Sequence, residues 1–340
     1  MYPPPSRRPR YAATVLVCGL VVAWPLVAPP TGAASSPAQG STASRATPSL
    51  LAAQAARTGR TRPFRAASYW NTPLGHAPRD AGSRRYIRDA LVRTHSQRYL
   101  KLVLGDWGMP SYRSGTTDPV YRINPASGPT VRVHIPRGAR AMPTSDAALT
   151  VYDRASHQVV GLGGARFHRA TQRWSARTVS RYGSSTNGIA QGLRGGTRGN
   201  LGHRGIPGSV QAVTMNEIRR GAINHRLEVY WWETSSRTPT GHEAYFPMTG
   251  SEAGKVGTVP EGIVIRIKPS VDLTHKHLSP AALTVARALQ RYGAVVGDNS
   301  GSGNSLKLQS NVDWRGVLAK DSLRSIGWRD FAFVKGGYRP

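Results

Sequence analysis

The residues with the clearest potential for chemistry lie in a glycine- and serine-rich loop that begins at Asp298 and Asn299. The preceding Val295-Val296 predicts a short strand, so both side chains would lie at a strand end, where loops on a rigid scaffold often carry functional groups. An aspartate there can act as a general base, a metal ligand or an acceptor for sugar hydroxyls. An ordinary turn is the alternative, since Asp, Asn and Gly are common turn residues. We predict a catalytic role for Asp298 and a substrate-binding role for Asn299.

The segment 223–232 predicts a strand with one polar and aromatic face. Glu228, Tyr230 and Trp232 alternate with apolar residues, and alternate side chains of a strand point to the same side. Such a face suits a sugar-binding cleft, while a second packed layer is the alternative. We predict that Glu228 is catalytic and that Tyr230 and Trp232 bind substrate. His225 falls on the apolar face and is predicted to be a core histidine.

A second set of candidates combines His242 and Tyr245, in a loop rich in Gly and Pro, with Arg266 and Lys268 on a later predicted strand. A histidine and a tyrosine close together suit the base and acid roles in β-elimination from uronates, and a cation neutralises the uronate carboxylate. We therefore predict catalytic roles for His242 and Tyr245 and substrate binding by Arg266 and Lys268. Hydrolysis would instead require two carboxylates in acid and base roles. The candidates for those roles are Glu228, Glu243, Asp272 and Asp298.

No cofactor and no metal site are predicted. His275 and His277 can place two imidazoles on one side of an extended segment, but the sequence defines no third ligand. The chain also has no phosphate-binding G-x-x-x-x-G-K loop, no G-x-S-x-G nucleophile motif, and no helix-turn-helix or zinc-finger spacing. These observations speak against the nucleotide-binding, esterase-like and DNA-reading classes that carry such motifs.

The charge of the chain indicates the kind of partner. Lys and Arg number 46 against 17 Asp and Glu, which gives a formal net charge of +29. Arginine supplies most of the excess, as expected either from a GC-rich genome or from a need for guanidinium groups that bind carboxylate, sulfate and phosphate in a bidentate way. We predict an anionic polymer as partner, an acidic polysaccharide or wall phosphate rather than nucleic acid. No protein partner is inferred.

The N-terminal sequence has the composition of a secretory signal. Three arginines among the first ten residues precede an apolar run over 12–28, and small residues follow it. The predicted organisation is a signal peptide at 1–34, a disordered linker at 35–62 and a single globular domain at 63–340. A retained membrane anchor is the alternative for the apolar run. From the signal we expect a secreted, extracellular protein. The one cysteine, Cys18, lies in the apolar run, so we expect no disulfide in the mature protein.

Strand patterns outnumber helix patterns in the predicted domain. The clearest strand is 130–135, where apolar residues alternate with polar ones. Helices are predicted at 83–92, at 280–292 and after a capping Asp313. We therefore predict a β-rich (α+β) single domain with an antiparallel sandwich or barrel-like core and a few packed helices.

Several motifs resemble those of an uncharacterised family of secreted, mostly actinobacterial proteins. The matching stretches are an R-x-K strand at 266–268, a helix ending in L-x-R-Y-G at 289–293, a D-N loop at 298–299, and the segments 70–73 and 221–225. The likeness covers roughly 69–334. It implies export and a shared fold, but no assigned activity. This chain departs from the D-N-G-S loop pattern of the family, because Ser300 and Gly301 follow Asn299.

Together these observations predict a secreted protein that acts on an extracellular, anionic polysaccharide by lyase or hydrolase chemistry. A non-catalytic wall- or polysaccharide-binding protein is the alternative, because a basic surface and tryptophans suffice for binding. A secreted nuclease is a further alternative, although no nuclease motif is present. Convergence of the predicted site residues in one groove would favour the enzyme, and their separation would favour the binding protein.

Overall fold

The computed structural model describes residues 64–93, 97–190, 204–207 and 210–340, and these belong to one compact unit. The predicted signal peptide at 1–34 and the predicted linker at 35–62 lie outside the described residues. No helix in the described part has the length and apolar composition required to cross a membrane.

The described helices and strands follow in this order along the chain: α1 (Ser83–Arg93), β1 (Lys101–Val103), β2 (Ser111–Ser114), β3 (Val120–Ile123), β4 (Val131–His134), β5 (Leu149–Asp153), β6 (Gln158–Gly163), β7 (Arg166–His168), β8 (Arg173–Ser175), β9 (Thr178–Gly183), α2 (Met215–Arg219), β10 (Leu227–Trp232), β11 (Thr234–Ser235), β12 (Val259–Pro260), β13 (Val264–Ile267), α3 (Pro280–Arg291), β14 (Ala294–Ser300), β15 (Ser305–Lys307) and β16 (Phe331–Phe333). Single 3₁₀ turns form at Thr274–Lys276 and Trp328–Asp330.

A six-stranded sheet forms the larger half of the fold, with the strand order β1-β15-β10-β14-β13-β16. β10 lies at its centre, parallel to β14 and antiparallel to β15. One face of the sheet packs against α1 and α3 in the main hydrophobic core. Because Leu227, Val229 and Trp231 of β10 point into this core, the intervening residues must point to the opposite face.

A four-stranded sheet, in the order β2-β5-β6-β9, forms the other half together with the hairpins β3–β4 and β7–β8. These strands enclose a second core on one face. On the other face, Val159 and Tyr182 belong to a third apolar cluster that also contains Val264 and Val295 of the larger sheet. The two sheets therefore share apolar contacts through this third cluster.

The β-rich (α+β) class predicted from the sequence is confirmed. The strand pairing is mixed rather than purely antiparallel, since β1–β15, β10–β14 and β2–β5 are parallel pairs. The predicted helix after Asp313 is wrong, because this stretch forms turns. The Asp313 carboxylate accepts hydrogen bonds from the backbone N–H and the guanidinium of Arg315. Gly316 then adopts a positive φ of 71°, which a continuing α-helix does not allow.

Candidate functional site

The polar face of β10 brings four charged or phenolic side chains together. Tyr230 pairs with Asp298 on β14 and with Ser305 on β15, while Lys307 contacts Glu228 and Tyr230 across the same face. We call Glu228, Tyr230, Asp298 and Lys307 the β10 cluster. Three of the four were predicted as site residues from the sequence, and the sheet register is what places them side by side.

Glu228 and Lys307 form a buried ion pair at the base of the cluster. Lys307 Nζ donates to Glu228 Oε1 at 2.6 Å, and the two side chains are 4% and 0% exposed. Glu228 Oε2 is also buried and has no hydrogen-bond partner among the described residues. The carboxylate is thus sealed from solvent, and its predicted catalytic role by direct contact with substrate is not compatible with this burial.

A glycine at position 297 provides the space for this pair. The register between β10 and β14 shifts after Val229, so Gly297 is an extra residue between the partners of Val229 and Tyr230. A Cβ on Gly297 would lie 2.7 Å from Glu228 Cγ and 2.8 Å from Glu228 Oε1. Bulges of this kind re-aim side chains near functional sites, and here the bulge directs Asp298 toward Tyr230.

Tyr230 lies above the ion pair as a neutral hydrogen-bond donor. Its hydroxyl donates to the carbonyl of Trp107 at 3.0 Å, and Lys307 Nζ lies 4.3 Å from its ring centroid. Burial raises the pKa of Tyr230 to about 12; the negative charges of Glu228 and Asp298 add to this rise, and Lys307 opposes it. The phenol therefore stays protonated at neutral pH and is a poor general base.

Lys307 stays charged in spite of its burial. Burial lowers its pKa, but Glu228, Tyr230 and Asp298 raise it by more, so that the pKa of Lys307 lies above its usual value. Lys307 is the one cation among the four side chains of the cluster, and Glu228 holds it at 2.6 Å. Of the two carboxylates in the cluster, Asp298 is the partly exposed one.

The end of β14 and the loop after it are held by side-chain amides. The Asn299 side-chain carbonyl accepts the N–H of Thr234 at 3.0 Å, and that of Asn304 accepts the N–H of Trp232 at 2.7 Å. Gln97 spans the loop end, donating to the Asn304 carbonyl at 2.6 Å and accepting its N–H at 3.0 Å. Asn299 thus has a structural contact beside its predicted binding role. Asp298 and Asn299 were expected in a loop, but both belong to β14, which continues to Ser300.

Trp232 and an unpredicted tryptophan border the cluster. Trp232 lies on the same face of β10 as Tyr230 and is partly buried. Trp107 is 55% exposed and is the largest exposed aromatic side chain of the described residues. Its backbone carbonyl accepts the Tyr230 hydroxyl, so the main chain of Trp107 lies against the cluster.

The structure leaves the other predicted site residues outside this cluster. Arg266 was predicted to bind substrate, but it is 7% exposed and donates to the carbonyls of Gly75 at 3.1 Å and Gln290 at 2.5 Å. Lys268 Nζ donates to the Arg329 carbonyl at 2.6 Å. Both cations thus bind backbone carbonyls of neighbouring segments.

His242 and Tyr245 do not form the predicted acid–base constellation with these cations. His242 lies in an exposed turn, where its carbonyl accepts the N–H of Thr238, and Tyr245 packs partly buried against the main core. No hydrogen bond or ion pair in the described part of the chain joins either residue to Arg266 or Lys268. Sequence neighbourhood alone suggested this grouping, and the fold separates it.

Two further predictions can be placed. His225 is a fully buried core histidine, as predicted, with Nε2 at 2.8 Å from Glu217 Oε1. Asp272, a candidate for hydrolytic chemistry, lies at the surface in contact with Thr274 and His275. Within the described residues, no group of three His, Cys, Asp or Glu side chains is arranged to hold a metal ion.

Sequence reasoning missed Lys307 and Trp107. Lys307 lies between Leu306 and Leu308, both fully buried, and this alternation was the available signal for a polar side chain on the opposite face. Trp107 had no such signal, since it lies in a turn rather than in a periodic segment.

Comparisons with known protein families, with curated proteins and with solved structures find no match to this chain.

Proposed function

We propose that this is an exported protein that binds an extracellular, anionic polysaccharide without cleaving it. The observation that carries the proposal is the β10 cluster itself. It offers one partly exposed carboxylate, Asp298, and its Tyr230 hydroxyl binds the backbone of Trp107, a residue with an exposed indole, while its second carboxylate, Glu228, is sealed in an ion pair. Export is inferred from the signal-like N-terminal sequence.

The cluster lacks the usual requirements for cleaving a glycosidic bond. Hydrolysis by the common route requires two carboxyl groups on either side of the bond, and Glu228 has no exposed surface with which to reach one. Elimination requires a base with a pKa near the working pH, and the pKa of Tyr230 is about 12. Lys307, the cation that could neutralise a uronate, is already bound to Glu228.

The same cluster suits the binding of sugars. An indole offers a large apolar face on which the C–H side of a sugar ring can pack. A carboxylate accepts hydrogen bonds from hydroxyl groups, and such charge-assisted bonds are the stronger kind. Trp107 and Asp298 supply these two contacts. Since Lys307, the one cation of the cluster, is held by Glu228, we propose that the acidic groups of the polymer bind elsewhere on this basic protein.

Binding of oligosaccharides with and without carboxylates tests the proposal. Asp298→Asn and Trp107→Ala should each weaken binding of a neutral, carboxyl-reduced oligosaccharide about tenfold, as expected when a contact worth about 1.4 kcal/mol is lost. Asp313→Asn and Val256→Ala are the matched controls, because Asp313 is an exposed carboxylate paired with Arg315 and Val256 is a 74% exposed apolar side chain. Equal losses in the controls would refute a site at the β10 cluster.

A glycan-cleaving enzyme is the second candidate, favoured by the partial exposure of Asp298 in the last part of β14. Prolonged incubation with the polymer, followed by measurement of new reducing ends and of unsaturated products, distinguishes the two. We expect neither product. Release of product by the wild-type protein that is abolished in Asp298→Asn would establish the enzyme instead.

A further inference from the structure

A cavity on the four-stranded sheet gathers arginines that the sequence analysis did not single out. β2 and β5 run parallel, with Arg113 opposite Tyr152, so their carboxyl ends meet at one edge. Arg154 follows β5 directly, and its N–H donates to the Ser114 carbonyl at 3.1 Å. A cavity of about 620 Å³ opens at this edge and is lined in part by Arg113, Arg154 and His157. We call it the arginine cavity.

In the described part of the chain, the arginines of this cavity are not paired with carboxylates. No carboxylate among the described residues forms an ion pair with Arg113 or Arg154. Asp153 is the one carboxylate in the cavity lining, but it is 1% exposed. Its Oδ2 accepts the N–H of His134 at 3.0 Å and lies 3.1 Å from the ring nitrogen of that residue, and its Oδ1 accepts the Ser156 N–H at 3.1 Å.

The charges of neighbouring arginines act on Arg113. Burial lowers the pKa of Arg113, and the charges of Arg154 and Arg220 lower it further against a weaker opposing effect of Tyr152. Like charges brought together on a partly buried surface repel one another, and an added anion relieves that repulsion. Guanidinium groups also match the geometry of oxyanions, to which they donate two parallel hydrogen bonds.

From these contacts we infer that the arginine cavity binds an oxyanion, with Arg113 and Arg154 as its donors. The ligand is a carboxylate, sulfate or phosphate group. That this group belongs to a polysaccharide rests on the proposed function. The chain runs from Trp107 to Arg113 in six residues, so the two lie no more than roughly 20 Å apart. A polymer segment of a few sugar units is long enough to span this separation.

The test compares three variants that each remove one positive charge. Arg113→Gln and Arg154→Gln act on the cavity, and Arg181→Gln is the matched control, because Arg181 is an exposed arginine on β9 of the same sheet. The probes are an oligoglucuronate, its carboxyl-reduced form and inorganic phosphate, with affinities measured by calorimetry at fixed salt. Arg154 is exposed, so its variant keeps the test valid if Arg113→Gln fails to fold.

We expect Arg113→Gln and Arg154→Gln to weaken oligoglucuronate binding about tenfold or more, the effect of losing one hydrogen bond to a charged group. Arg181→Gln should change it less than twofold, and none of the three should alter binding of the carboxyl-reduced form. An equal loss in Arg181→Gln would overturn the cavity in favour of diffuse surface charge. Binding of phosphate but not of oligoglucuronate at the cavity would overturn the polymer as the source of the oxyanion.

Failure of the two proposals can be told apart. Asp298→Asn and Trp107→Ala report on the β10 cluster through the carboxyl-reduced probe, which has no group for the cavity. If those variants have no effect while Arg154→Gln still weakens oligoglucuronate binding, the sugar site is wrong and the oxyanion cavity stands. The reverse result overturns the cavity alone.

Discussion

Lys307→Met tests whether the β10 cluster depends on its buried ion pair. Lys307 Nζ and Glu228 Oε1 lie 2.6 Å apart, and at an effective dielectric constant of about 20 this separation corresponds to an attraction of about 6 kcal/mol. Burial of the two charges offsets much of it. Methionine keeps the apolar length of lysine but leaves Glu228 buried without a counter-ion. Loss of one partner from such a pair costs about 3–5 kcal/mol of unfolding free energy, and we expect that loss in urea unfolding at pH 7.

A double-mutant cycle and a surface control define the result that would refute this reasoning. Lys307→Met combined with Glu228→Gln should cost less than the sum of the single variants, because the double variant leaves no uncompensated charge. Lys276→Met is the control: its Nζ lies 2.7 Å from Asp330 Oδ2, but both side chains are about a quarter exposed, so we expect a loss below about 1 kcal/mol. Additive costs in the cycle, or equal losses for Lys307→Met and Lys276→Met, would show that burial does not govern the pair.

Three further predictions concern the stability of the domain and its retention by a polyanion. Burial raises the pKa of Asp153, but hydrogen bonds from His134, Ser156 and Gln158 together lower it by more, so the folded pKa lies below the unfolded one. The stability that Asp153 contributes is therefore present above its unfolded pKa and is lost as the pH falls through the lower folded value. The difference in unfolding free energy between wild type and Asp153→Asn should therefore shrink below about pH 4 in urea titrations, and a constant difference down to pH 2 would contradict this. Leu289→Ala, at a fully buried position of α3, should cost about 2–5 kcal/mol, whereas exposed Arg291→Ala should cost well under 1 kcal/mol; similar losses would show that α3 is buried on all sides. The wild-type protein should be retained on a heparin column at low salt and elute by about 0.5 M salt, and flow-through at low salt would contradict an anionic partner.

Local signals predicted most of the helices and strands, because each depends on neighbouring residues. Ser279 and Pro280 begin α3, where the Ser279 hydroxyl accepts the Ala282 N–H at 3.3 Å, and this cap is readable in the sequence. Strand direction is different. Alternation in β10 and β14 identifies two strands but does not say whether they pair in parallel, since that depends on the path of the intervening chain. The mixed sheet was therefore not predictable from these patterns.

The candidate site was likewise predictable only in part, because local patterns are readable in the sequence and contacts between distant segments are not. The alternation of β10 correctly put Glu228 and Tyr230 on one face, but the predicted loop at Asp298 is wrong, because β14 continues through Asp298 to Ser300 in register with β10. Burial of Glu228 was not readable, because it depends on Lys307 from a strand 79 residues away. The burial of Arg266 was not readable for a similar reason. Its place in the strand pattern indicated an outward side chain, yet its guanidinium donates to backbone carbonyls of distant segments.

Charge distribution rather than total charge decides where a polyanion can bind this protein. The formal net charge of +29 favours approach of any anionic polymer, but the one cation of the β10 cluster, Lys307, is already paired with Glu228. In the proposed function this cluster therefore binds sugar hydroxyls rather than acidic groups. The arginine cavity has the opposite character, since the one carboxylate in its lining is buried and fully hydrogen-bonded. A polymer with both hydroxyl-bearing and acidic units satisfies the two proposed sites together, and the proposal of an anionic polysaccharide rests on this combination.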